Sequence, residues 1–150
     1  MKNLKIGDSA PEINSLDQHG NAITLEEFRG SKVVLYFYPK DMTPGCTVQS
    51  CNLRDNYKLL LKRGYVVLGC SADSPARHVK FIEKYDLPFS LISDESKQVL
   101  NAYGVWGPKK FMGKEFDGIS RTTFVIDENG MIEDVIEKVK TKDHTTQILK

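Results

Sequence analysis

The chain has no apolar run long enough to cross a bilayer. Its longest, VVLYFY at residues 33–38, falls far short of the ~20 residues that a spanning helix needs. It also has almost no net charge, with 21 basic residues against 20 acidic ones. The two signs are mixed along the chain, so no basic stripe forms, and neither nucleic acid nor a membrane surface is expected as a partner. The opening residues, MKNLKIGDSAPEI, hold no apolar leader. A cytoplasmic location is expected, where cysteines are kept reduced. Cysteine itself is scarce. Cys46, Cys51 and Cys70 are odd in number, which excludes a paired disulfide framework. They lie five and nineteen residues apart and His19, His78 and His144 are scattered, so the close-paired ligands of a structural zinc site are missing. No metal and no other cofactor is expected. Repeats, low-complexity tracts and linkers are absent too. Residues 1–150 are therefore expected to form one domain, large enough for a proper core.

What is present is an alternation of β-rich and helical segments. Residues 13–25 flank a turn signal at His19-Gly20-Asn21 and predict a small hairpin. VVLYFY at 33–38, YVVLGCS at 65–71 and TTFVID at 122–127 predict buried strands. The turn DENG at 127–130 leads into 131–139, expected to return antiparallel. Between these lie helical patterns. Residues 44–63 carry Val48, Leu53, Tyr57, Leu60 and Leu61 ahead of Gly64, a C-cap signal. Ser74 and Pro75 are an N-cap and first helical residue for a helix to about Tyr85, with Val79 and Ile82 facing inward. Residues 95–103 and a short stretch from Asp143 to the end predict two more helices. Residues 104–120 read as a long glycine-containing loop, of the kind that carries function or moves. Strands alternating with helices, and apolar throughout, imply an α/β fold with a sheet covered on both faces.

Cys46 stands apart from a packing cysteine. In YPKDMTPGCT it follows a buried strand and opens a helix. Thr43 can cap that helix with Pro44 at its first position. Cys46 is then the third helical residue, where a capping box normally holds an anionic side chain. Unpaired backbone N–H groups and the helix dipole point there. Both favour the thiolate, which is the reactive form. A free cysteine is ordinarily a small buried hydrophobe, but packing does not require Thr-Pro-Gly ahead of it.

The five-residue step to Cys51 has a geometric consequence. In an intact helix it rises about 7.5 Å and turns about 500°, a Cα separation of about 8.6 Å. Disulfides rarely exceed about 6.8 Å. The two sulfurs could therefore join only if the first turns of the helix unwound.

These segments resemble the peroxiredoxins, specifically the Q-type or bacterioferritin comigratory protein group, over nearly the whole chain. The resemblance is carried by GDSAPEI, VVLYFYPKDMTPGCT, NLRDNY, SADSP, YGVWGPKKFMGKEFDGISRTTFVID and KVKTKDH. Pro39, Thr43 and Cys46 match the family's Pro-x-x-x-Thr-x-x-Cys site. The resemblance implies a thioredoxin-like fold, with a central mixed sheet, helices on both faces and an N-terminal β-hairpin extension. It implies that Cys46 attacks hydrogen peroxide or an organic hydroperoxide and becomes a sulfenic acid. Cys51 is then the resolving cysteine, closing an intramolecular disulfide, with thioredoxin as reductant. Arg121 matches the family's active-site arginine, and a monomer is implied.

The residue types suit these roles. Attack on an O–O bond places negative charge on the leaving oxygen, which Arg121 can stabilise with fixed donors. The Thr43 hydroxyl can both accept and donate. Pro39 has no N–H and would shield the sulfur from water. Met42 and Cys70 depart from the family pattern. Met42 can pack or be oxidised, and Cys70, in a buried strand, reads as an inert core residue. Trp106 and Phe116 are candidates for an organic-substrate surface or a hydrophobic lid. A thiol–disulfide oxidoreductase is the alternative within enzymes, but it ordinarily uses Cys-x-x-Cys, which is absent. A non-catalytic holdase or interaction module would not need Thr43, Cys46 and Arg121 together.

Overall fold

The predicted elements assemble around one mixed sheet. The computed structural model describes residues 4–149. The N-terminal hairpin is β1 (Asn14–Leu16) and β2 (Ala22–Thr24), paired antiparallel. β3 (Lys32–Phe37) follows a 3-10 turn at Glu26–Phe28. Next come α1 (Pro44–Asp55), α2 (Tyr57–Lys62), β4 (Tyr65–Ser71), α3 (Pro75–Tyr85) and β5 (Ser90–Ser93). Then come α4 (Gln98–Ala102), β6 (Trp106–Phe111), β7 (Lys114–Ile119), β8 (Thr122–Ile126), β9 (Ile132–Ile136) and α5 (His144–Leu149). The sheet order is β2-β1-β5-β4-β3-β8-β9. β3, β4 and β5 run parallel, and the flanking pairs are antiparallel. Among the described residues no helix is long and apolar enough to cross a membrane.

The central strand shows why its sequence is apolar throughout. Val33, Leu35 and Phe37 enter one core cluster, and Val34, Tyr36 and Tyr38 enter the other. A strand buried on both faces has no polar side to alternate with. Leu53, Leu60, Phe81 and Ile148 seat α1, α2, α3 and α5 on the second face, while Val99 and Leu100 seat α4 on the first. Gly69 permits a close approach: a Cβ there would lie 2.6 Å from Leu91 Cδ2 and 2.9 Å from Tyr36 Cζ. The tyrosine ring thus takes space that any side chain at position 69 would need.

Several elements differ from the sequence expectation. The helix expected over 44–63 is two helices. Asn56 Nδ2 donates to the Asn52 carbonyl at 2.8 Å, and the Asn56 N–H turns to Arg54 instead. A side chain that takes its own helical acceptor interrupts the ladder. Of the apolar residues in this pattern, Val48 and Leu61 are 38% and 48% exposed. In α3 the fully buried positions are His78 and Phe81. Ile82 packs partly buried against the same core, as expected, while Val79 joins neither core cluster. Ser74 caps the helix as expected by accepting from the Arg77 N–H at 3.3 Å. α4 begins three residues later than expected. Asp94 holds the Lys97 N–H on its carbonyl and the Leu100 N–H on its carboxylate, with Lys97 left-handed at φ 65°. The expected loop at 104–120 is the β6–β7 hairpin. Met112 and Gly113 at its tip have φ of 51° and 80°, the double left-handed turn that suits a two-residue hairpin. β7 is exposed from Lys114 to Asp117, so no apolar alternation marked it. β5 carried no expectation either, being four residues with a serine at each end. α5 fits the expected C-terminal helix, whose last residue, Lys150, lies outside the described residues.

Candidate active site

The chain leaves β3 at Phe37 and reaches α1 through the turn 38–43. Thr43 is extended, at φ −80° and ψ 152°, with Pro44 at the first helical position. Its carbonyl accepts the first helical bond, from the Thr47 N–H at 2.9 Å. The cap is thus set by backbone geometry. The Thr43 hydroxyl does not cap, contrary to the sequence expectation; it donates to the Lys40 carbonyl at 2.8 Å. Its lone pairs face away from that bond and can still accept from a bound molecule.

Cys46 occupies the third helical position and is fully buried. Arg121, on the residue before β8, crosses from the sheet to meet it. Its Nη2 donates to Cys46 Sγ at 3.2 Å, and its Nη1 donates to Gln49 Oε1 at 2.5 Å. Gly45 makes room for this approach, since a Cβ there would lie 3.3 Å from Arg121 Nη2. The sulfur thus meets a fixed guanidinium donor in the first turn of a helix, where unpaired backbone N–H groups also converge. The same donors can follow charge that develops on a reacting oxygen.

Gln49 was not singled out in the sequence, although it lies three residues after Cys46 on the same helical face. It is fully buried. Because a guanidinium only donates, the amide oxygen must face Arg121. The Nε2 group has no hydrogen-bond partner among the described residues.

Cys51 lies on the same unbroken helix, half-buried, and all three cysteines are free thiols. The helix is wound through both Cys46 and Cys51, the state in which about 8.6 Å separates their Cα atoms. Pro39 lines a cavity of about 390 Å³ with Ala72, Trp106, Phe116 and Ile119. The β6–β7 hairpin therefore stands against the Pro39 side of the turn. Met42 is 37% exposed at φ 69°, so it does not pack in the core. Cys70 is fully buried, and burial pushes its thiol well above the ordinary range, with the Asp94 charge adding to the effect. It stays protonated in a buried strand, the position the sequence suggested.

His78, scattered from other histidines in the sequence, comes together with Asp41 and Asp73. The three are already engaged with protein partners. His78 Nδ1 meets Asp41 Oδ2 at 2.6 Å, and Nε2 meets the Ile92 carbonyl at 3.0 Å. Asp73 accepts from Ser71, Arg77 and the Asp41 N–H.

The chain is similar to known proteins over nearly its whole length. The AhpC/TSA family pattern matches residues 6–135. Peroxiredoxin Bcp of Escherichia coli (strain K12) is 51% identical over 149 residues, covering 99% of this chain and 96% of that protein. Peroxiredoxin Bcp of Bacillus subtilis (strain 168) is 43% identical, covering 97% and 93%. Among solved structures, a cysteine-to-serine mutant of Xylella fastidiosa PrxQ superposes with a TM-score of 0.92 at 28% identity, over 99% of this chain and 95% of that one. Xanthomonas campestris bacterioferritin comigratory protein, solved as a trapped intermediate/ligand complex bearing on its alkyl peroxide reduction activity, gives 0.85 at 33% identity, over 91% and 87%. The fold is thus the thioredoxin-like one of these proteins, and the chain belongs to the AhpC/TSA family, as a peroxiredoxin of the bacterioferritin comigratory protein, or Q-type, group.

Proposed function

We propose that this protein reduces hydrogen peroxide and organic hydroperoxides with Cys46, resolves the product with Cys51, and is recycled by thioredoxin. The observation that carries the reading is the 3.2 Å contact from Arg121 Nη2 to Cys46 Sγ in the first turn of α1. The Cys46 thiolate attacks one peroxide oxygen. An S–O bond forms as the O–O bond breaks, and the leaving oxygen takes a proton to become water or an alcohol. Arg121 stabilises the thiolate before the step and the leaving oxygen during it. Thr43 orients the peroxide, and Pro39 keeps water from the sulfur. The Cys51 thiolate then attacks the Cys46 sulfenic acid, releasing water and forming the disulfide. A reductant dithiol returns both to thiols, and thioredoxin fits that role better than glutathione because the product is an intramolecular disulfide. The protein acts as a cytoplasmic monomer of one domain, residues 1–150.

The test is peroxide loss with purified protein and dithiothreitol. Wild type consumes peroxide catalytically and Cys46→Ser does not. Equal consumption by Cys46→Ser would end the assignment. Turnover with thioredoxin and its reductase, set against glutathione with glutaredoxin, decides the reductant.

A further inference from the structure

Within the turn that carries Pro39 and Thr43, Asp41 makes the bonds to α3 and to the β4–α3 connection. Its side chain is fully buried, as is that of His78 on α3. Asp41 Oδ1 accepts from the Tyr38 hydroxyl at 2.6 Å, and Oδ2 meets His78 Nδ1 at 2.6 Å. Its N–H donates to Asp73 Oδ2 at 2.8 Å. His78 is in turn held by the Ile92 carbonyl on β5, at 3.0 Å from Nε2. A carbonyl only accepts, so Nε2 carries a hydrogen, and the short Nδ1 contact needs one more shared with Asp41. Burial also keeps Tyr38 protonated and therefore a donor. On the other side of Asp41 the chain turns through Met42 at φ 69°, a conformation that a non-glycine residue holds only when its surroundings impose it. The hydrogen bonds of Asp41 and His78 run to Tyr38, Asp73, Arg77 and Ile92 rather than to Cys46 or Arg121.

We propose that the buried Asp41–His78 pair is a positioning device for the peroxide reaction, fixing the 39–43 turn so that Pro39 and Thr43 stand correctly over Cys46. This rests on the peroxidase reading above. The pair joins the turn to α3 and to β5, both outside the part of α1 that must unwind. It therefore holds the turn in place while Cys46 moves to Cys51 and back. Pro39 and Thr43 are then ready for the next peroxide as soon as α1 rewinds.

The test uses two reactions of the same sulfur. Hydrogen peroxide needs Pro39 and Thr43 in place, whereas iodoacetamide needs only the thiolate. Both rates are read at Cys46 by peptide mass in single-turnover mixing. In His78→Asn the side-chain amide can still donate to Asp41, while in His78→Gln it reaches Ile92 and loses Asp41. The expected result is a peroxide rate at least ~10-fold lower in His78→Gln, with near-wild-type iodoacetamide alkylation, since small misplacements cost this much or more. His78→Asn should restore most of the peroxide rate. Should either variant fold poorly by thermal melting, the pair Asp41→Ala/His78→Leu removes both partners at once and leaves neither facing an unpaired group of the other. It should show the same split. Wild-type peroxide rates in His78→Gln or in the double variant would overturn the proposal. So would equal slowing of both reactions in a fully folded variant. Failure of the peroxidase reading itself would be separate, appearing as a wild-type protein that consumes no peroxide.

Discussion

Replacing Val48 tests whether α1 must unwind for resolution. Val48 lies between Cys46 and Cys51 and is 38% exposed, so helix propensity outweighs packing there. Closing the disulfide requires the Cα separation to shrink by about 2 Å, from about 8.6 Å to at most about 6.8 Å. The Thr47-to-Thr43 bond at 2.9 Å and the Arg121 contacts to Cys46 and Gln49 stand in the way. Alanine and glycine differ by about 1 kcal/mol in a helix interior. If the unwound state precedes closure, that difference changes its population about fivefold. Val48→Gly should therefore close the disulfide about fivefold faster than Val48→Ala, with wild type between them. The initial peroxide step should differ far less, because the wound helix is common to all three. The assay is rapid mixing with one equivalent of hydrogen peroxide, acid quench, alkylation and intact mass. Equal closure rates in the two variants, or faster closure in Val48→Ala, would refute the unwinding step.

Arg121→Ala should lower the second-order rate with peroxide about 100-fold, the usual cost of one fixed donor at a developing charge. Arg121→Lys should recover only part of it, because a single ammonium cannot reach Cys46 and Gln49 as a fork; stopped-flow mixing reads both. Cys51→Ser should react once and then accumulate sulfenic and sulfinic acid at Cys46, visible by intact mass. The buried His144 should make stability depend on pH. Burial lowers its proton affinity, with the Arg121 charge adding and a bond to Gln147 opposing. The unfolded histidine takes a proton near pH ~6.5, while the folded one resists until lower pH. The unfolded state thus binds more protons below ~6.5, and stability falls as pH drops, by at most about 1.4 kcal/mol per unit. Denaturant unfolding of wild type and His144→Asn at pH 7.5 and 5.5 should show a smaller pH effect in the variant.

Much of this was legible because local chemistry and tertiary role coincide. Thr43-Pro44 announces a helix start whatever surrounds it, and a strand buried on both faces leaves no choice but the continuous apolar run at β3. Other features depended on partners distant in sequence. Gln49 looks like an ordinary helical glutamine until Arg121, 72 residues away, arrives beside it. Asp41 and His78 are 37 residues apart, and neither carries a local signal that the other will be there. The β6–β7 hairpin was hidden by its own charge, since Lys114, Glu115 and Asp117 sit on exposed strand positions and break the period-two pattern. The split at Asn56 comes from an amide that satisfies Asn52 better than its own backbone does.

The most direct measurement is peptide mapping of the wild-type protein after one equivalent of hydrogen peroxide under non-reducing conditions. The expected product is a disulfide between Cys46 and Cys51, with Cys70 still a free thiol. A disulfide to Cys70, or a Cys46 that remains unmodified while peroxide disappears, would contradict it.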